Sequence, residues 1–133
     1  MAAESPDFAY AVTLLRNLFD AAVENAYPGS ELVGFLPEPP RGKTIVVGAG
    51  KAGASMAQTL EKSLWSIDDS LIIVPQGHRL QTESLNIIEA SHPVPDRIGL
   101  DGALHILEMA RSLKSDDLLL CLLSGGGSAL LNL

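Results

Sequence analysis

Two glycine-rich turns, each placed directly after a short apolar run and before a helix-like stretch, carry the residues best suited to chemistry. The first reads Thr44-Ile45-Val46-Val47-Gly48-Ala49-Gly50-Lys51-Ala52-Gly53. The second follows the run Leu118–Leu123 as Ser124-Gly125-Gly126-Gly127-Ser128-Ala129. A strand that turns through glycines into a helix leaves backbone N–H groups and the positive end of a helix dipole open to an anion. Glycine is required where a side chain would block the ligand or forbid a positive φ. Two such turns at the ends of strands in one sheet point to a phosphate or carboxylate site, with Gly48 and Gly50 on one side and Ser124 to Ser128 on the other. Lys51 adds a compact cation inside the first turn, as phosphoryl-transfer sites do. The plainer alternative is a turn that closes a strand onto a helix with Lys51 in solvent.

Other chemistries fit less well. The GxxxxGK[ST] spacing of a Walker A loop is absent. Gly48, Gly50 and Gly53 match the dinucleotide fingerprint, but that fingerprint needs an acidic residue at the end of the second strand to hold the ribose. Here that strand ends in Pro75-Gln76-Gly77, and Asp68 and Asp69 lie at its other end. A nucleophile elbow needs glycine two residues on each side of its serine. Ser128 has Leu130 after it and Ser124 has Leu122 before it, so acyl-enzyme chemistry is not expected. Gly125, Gly126 and Gly127 read instead as a nest of N–H donors for an oxyanion. His92, in the segment Glu89-Ala90-Ser91-His92-Pro93-Val94-Pro95-Asp96, could face the same cleft. His78 has a weaker claim, and His105 reads as a surface position on a helix. No His, Cys, Asp or Glu group has metal-ligand spacing.

The elements that must hold these residues follow from period and punctuation. Ser5 before Pro6 is a helix cap with a first-turn proline. Phe8, Val12, Leu15, Phe19, Ala22, Val23 and Ala26 keep a helical period, and Tyr27-Pro28-Gly29 stops it. Leu36 to Gly42 is too proline-rich for regular structure. Strands are expected at Thr44–Val47, Leu71–Val74, Asn86–Glu89 and Leu118–Leu123. Helices are expected from about Ala52 to Trp65 and from an Asp96 cap to about Leu113, with Gly99 and Gly102 weakening the start of the latter. Strands apolar throughout suit a parallel sheet covered on both faces. Ligands of such sheets bind beyond the carboxyl ends of the strands, which is where both turns and the His92 segment fall.

Bulk properties narrow the class. A chain of 133 residues fits one domain, and 47% hydrophobic content is too high for disorder. The net charge of −7 and the lack of a basic stripe argue against a general nucleic-acid binder, so an anion must be held by local groups. The single Cys121 excludes an internal disulfide framework and reads as a small buried hydrophobe. No secretory signal opens the chain, and no apolar run approaches a membrane span of about 20 residues. A cytoplasmic enzyme without a membrane partner is the expectation.

The sequence VVGAGKAG, then EASHPVPD, then LLSGGGSALL resembles the N-terminal domain of the glycerate 2-kinase family, whose members are often labelled hydroxypyruvate reductases. The resemblance runs from Lys43 to the end. It implies a Rossmann-like, three-layer α/β domain with a mainly parallel sheet over residues 43–133. Residues 1–42 form a helix and connector of the same domain, and a C-terminal domain lies outside this chain. It also implies transfer of the γ-phosphoryl group of ATP, with Mg²⁺, to the 2-hydroxyl of D-glycerate. Lys51 would act on the moving phosphoryl group and Ser124 to Ser128 would cradle substrate or phosphate. By itself the chain is expected to be inactive as a kinase, and a homodimer is left open. Pro75-Gln76-Gly77-His78 departs from the family, whose members tend to carry a basic and aromatic pair before Gly-His. Two alternatives stand beside this: an NAD(P)H-dependent hydroxypyruvate reductase, and a sugar-phosphate-binding module of the sugar isomerase type.

Overall fold

In the computed structural model, which describes residues 6–28 and 30–133, the four apolar runs pair as one all-parallel sheet. The strands are β1 (Thr44–Ala49), β2 (Asp69–Pro75), β3 (Ile87–Ala90) and β4 (Leu118–Leu123), in the order β3-β2-β1-β4. The chain therefore moves outward from β1 to β3, then returns past β1 to lay down β4. Such a reversal of strand order opens a crevice beyond the carboxyl ends of β1 and β4.

Alternate residues of β1 serve two cores. Val46 faces α2 (Gly53–Glu61), where Ala54, Met56, Ala57 and Leu60 meet Ile72, Val74, Ile87 and Leu122. Ile45 and Val47 face the other side together with Leu71 of β2, where Met109 of α3 (Arg97–Ser112) packs against them. Leu130 of the short α4 (Gly127–Leu130) joins Ala49, Ile73 and Ala90 on that same side. The expected three-layer α/β architecture is present.

Local chemistry explains the element ends. The Asp96 carboxylate accepts the N–H of Gly99 at 2.8 Å and so caps α3 as expected, while Gly99 and Gly102 are both buried in that helix. Helix α2 ends at Glu61 rather than near Trp65, because Ser63 and Leu64 both donate to the Leu60 carbonyl and close its last turn. Trp65 instead donates from Nε1 to Thr44 Oγ1 at 3.0 Å. The segment before β1 holds a 3-10 helix, Ser30–Phe35, that the sequence did not announce; Leu32 and Leu36 pack against the α2 core.

Burial varies along the chain, and one expectation, that for Cys121, is corrected. α1 (Pro6–Ala26) has the expected span, but Leu15 is 66% and Phe19 68% exposed, so its apolar residues do not join the cores. Its Ser5 cap and the Gly29 of its stop signal lie outside the described residues. Cys121 is exposed rather than buried, since β4 is an edge strand and α3 covers only β1 to β3 on that face. Leu119 and Leu123 share that outlook. What burial Cys121 keeps pushes its thiol pKa up.

No helix joins β2 to β3. The parallel return is made by the loop Gln76–Asn86, pinned by the Glu61 carboxylate, which accepts the backbone N–H groups of Glu83 and Leu85, both at 2.9 Å, and of Ser84. Burial raises the pKa of Glu61, but these three backbone donors outweigh it and hold the group below its ordinary value.

Candidate functional site

The two glycine turns meet at the carboxyl edge of the sheet and are stitched to each other. Lys51 donates its N–H to the Gly125 carbonyl at 3.0 Å, and Ser124 donates its N–H to the Ala49 carbonyl at 3.1 Å. Ala52 donates its N–H to Ser124 Oγ at 3.0 Å. The chain can approach this closely because residue 50 is glycine. Its φ is +127°, and a Cβ there would stand 2.6 Å from the Ser124 carbonyl.

That stitching redistributes the anion-binding groups. Gly50 donates to Ile73 O at 3.1 Å and Gly53 to Gly50 O at 3.1 Å, so every N–H from Gly50 to Gly53 already has an internal acceptor. The first turn therefore offers the Lys51 side chain, not a backbone cradle. Lys51 is exposed and enters no ion pair among the described residues. Gly48 lies buried within β1, paired with Ile72 and Leu122.

The second turn keeps its donors. Gly127 gives its N–H to Ser124 O at 3.2 Å, while those of Gly125 and Gly126 have no acceptor among the described residues. Gly126 has φ +90° and caps α4. Two consecutive N–H groups ahead of a left-handed residue form an anion nest. Ser124 Oγ, although it accepts from Ala52, still has its own proton to donate. Ser128 is exposed on the first turn of α4.

His92 belongs to this group. A Cβ on Gly126 would stand 2.8 Å from His92 Nε2, so the ring lies directly against the nest. Its loop is held by Asp96, whose Oδ2 accepts the Ser91 N–H at 3.0 Å while Oδ1 caps α3. The Gly99 N–H foremost lowers the Asp96 pKa, outweighing desolvation with further help from Ser91. His92 precedes a cis peptide bond to Pro93.

His78 is closer to the site than its sequence position suggested. Its Nδ1 lies 3.3 Å from the Lys51 carbonyl oxygen. The same rule that selected the glycine turns, position just past the carboxyl end of a strand, applies to His78 after β2. His105 is exposed on α3, as expected. Among the described residues, no group of three or more His, Cys, Asp and Glu could hold a metal ion. No helix of the described residues is long and apolar enough to cross a membrane.

Residues 14–133 match the family described as a domain of unknown function, DUF4147. The chain belongs to that family. Relatives carrying the glycerate 2-kinase name match it over most of its length, in line with the resemblance read from the sequence. A Pyrococcus horikoshii protein named glycerate 2-kinase is 34% identical over 93 residues, covering 70% of this chain and 21% of the relative. An Agrobacterium vitis protein that carries a hydroxypyruvate reductase name is 46% identical over 119 residues, covering 89% of this chain and 27% of the relative. The crystal structure of a Thermotoga maritima glycerate kinase superposes with a TM-score of 0.76 at 31% identity, covering 89% of this chain and 29% of that one. The chain thus spans about a quarter of the length of the curated relatives it matches.

Proposed function

We propose that this chain is the N-terminal portion of a cytoplasmic glycerate 2-kinase that transfers the γ-phosphoryl group of ATP to the 2-hydroxyl of D-glycerate. The observation that carries the reading is the juxtaposition of the Lys51 turn with the Gly125–Gly126 nest, joined by the Lys51 N–H to Gly125 O bond of 3.0 Å. A mobile cation beside two unpaired N–H donors suits an oxyanion whose charge shifts during reaction. ATP supplies the phosphoryl group when bound. The Lys51 ammonium would face its charge, the N–H groups of Gly125 and Gly126 with the Ser124 hydroxyl would orient an anionic oxygen, and His92 would border the acceptor. Magnesium would offset phosphate charge in such a transfer, and no group of three or more His, Cys, Asp and Glu among the described residues is assigned to it. Glycine at 50 serves the approach of the two turns, and glycine at 48 the close pairing of β1 with Leu122 of β4.

A reductase is the second reading, favoured by the Agrobacterium vitis relative's name. Against it, β2 ends at Pro75 followed by Gln76, while Asp69 opens the strand at the opposite edge opposite Ile45. No acidic residue of β2 itself ends the strand, and the Glu89 carboxylate that reaches this end is engaged by the Gly77 and Arg79 N–H groups rather than left for a nicotinamide ribose. The deciding experiment assays the full-length protein for ATP-dependent formation of 2-phosphoglycerate and, separately, for hydroxypyruvate-dependent oxidation of NADH. Phosphoglycerate formation alone is expected; NADH oxidation alone would overturn the kinase reading.

A further inference from the structure

We propose that Glu89 is a positioning residue for Lys51, acting through the Gly77–Arg79 turn and the His78 ring; this rests on the kinase reading of Lys51. Glu89 lies near the end of β3, and its register partner is Val74 of β2. Its Oε1 accepts the N–H of Gly77 at 2.7 Å and of Arg79 at 3.3 Å. Between them, the His78 N–H donates to the Pro75 carbonyl at 3.0 Å. Three consecutive backbone donors are thus fixed, two of them by one carboxylate.

The fixed turn aims His78 at Lys51. Its Nδ1 is 3.3 Å from the Lys51 carbonyl oxygen, and a carbonyl can only accept, so Nδ1 must carry the proton. On its other side, the Lys51 N–H is held by Gly125 at 3.0 Å. The backbone of Lys51 is therefore gripped at both ends, by the second glycine turn and by the β2–β3 loop. Rotation within its own side chain is the freedom that remains. A charge that must meet a moving phosphoryl group gains from such a fixed base, because a shift of about 1 Å in a catalytic group can cost on the order of 10²-fold in rate.

Full-length protein carrying Glu89→Leu, Glu89→Gln or His78→Phe, each also combined with Lys51→Ala, tests the proposal by steady-state kinetics. Glu89→Leu and His78→Phe are expected to lower kcat about tenfold or more, with the KM values for ATP and glycerate nearly unchanged. Glu89→Gln is expected to keep most of the rate, since its amide oxygen still accepts both N–H groups. With Lys51→Ala already present, neither Glu89→Leu nor His78→Phe should cost anything further. Fully additive losses, or normal kcat in both single variants, would overturn the proposal. Should Glu89→Leu fail to fold, His78→Phe with its Lys51→Ala partner carries the same comparison. A second measurement does not depend on the reaction: nitrogen-15 NMR of the His78 ring should show the Nδ1–H tautomer in the wild type and lose it in Glu89→Leu. A solvent-averaged ring in the wild type overturns the network. The locked tautomer in a wild type that makes no phosphoglycerate overturns the kinase reading instead.

Discussion

The Ser124 hydroxyl accepts the backbone N–H of Ala52 at 3.0 Å, so a side chain of the second glycine turn completes the start of the helix that follows the first. Ala52 precedes α2 and has no side-chain cap of its own. The serine thus holds the N–H of the N-cap residue, as the glutamate of a capping box does in other helices, from 72 positions away. Ser124→Ala should therefore destabilise the full-length protein by about 1 kcal/mol, as loss of a helix cap does. Denaturant midpoints measure this. An unchanged midpoint would mean that the Ala52 N–H finds another acceptor.

Lys51→Ala in the full-length protein should lower kcat much more than it raises the KM for glycerate. Charge on the migrating phosphoryl group is rearranged in the transition state, where a pre-positioned ammonium counts most. Removing one such contact typically costs on the order of 10²–10³ in rate. Lys51→Arg should restore only part of it, because a planar fork does not replace a compact charge. Near-normal kcat for Lys51→Ala would return Lys51 to a solvent role.

Gly126→Ala should be costly for two separable reasons. The residue holds φ +90°, and its new Cβ would stand 2.8 Å from His92 Nε2. A left-handed conformation costs a non-glycine residue roughly 1–2 kcal/mol. Combining the change with His92→Ala should relieve the crowding but not the backbone strain. Stability curves of the single and double variants measure both shares, and full recovery in the double variant would assign the whole cost to the ring.

Stability should also report the Glu61 clamp through pH. Its native pKa is depressed by the donors of the 83–85 loop, so its contribution is present above the ordinary glutamate value and is lost as pH falls through the native one. Glu61→Gln should accordingly be less stable than the wild type at pH 7, with the gap closing below about pH 4. Urea unfolding of both proteins across that range measures it. A gap of constant size would show that charge on Glu61 contributes nothing.

The sequence by itself determined the strands, the existence of α1, α2 and α3 and the edge at which the turns gather, because these depend on local pattern. Apolar runs with no alternation can satisfy both faces only in a covered parallel sheet, and β1, β2 and β4 follow. Asp96 announced α3 through a capping interaction only three residues long. What tertiary structure alone decided is which groups have partners. Helical period made α1 amphipathic in pattern, but period does not say whether another element covers the apolar face, and Phe19 is left 68% exposed. Strand pattern gave β4 its apolar run, yet Cys121 faces solvent because edge position is a property of the sheet order. The glycine turns looked alike as anion cradles until the N–H groups of Gly50 to Gly53 were matched with acceptors from β2, the second turn and their own turn. Glu89 and Glu61 left no spacing signal, since the backbone donors they hold are brought to them by the sheet and by a loop that no periodicity describes. A hydrogen bond removes a donor from a ligand only when its acceptor arrives, and here the acceptors arrive from distant parts of the chain.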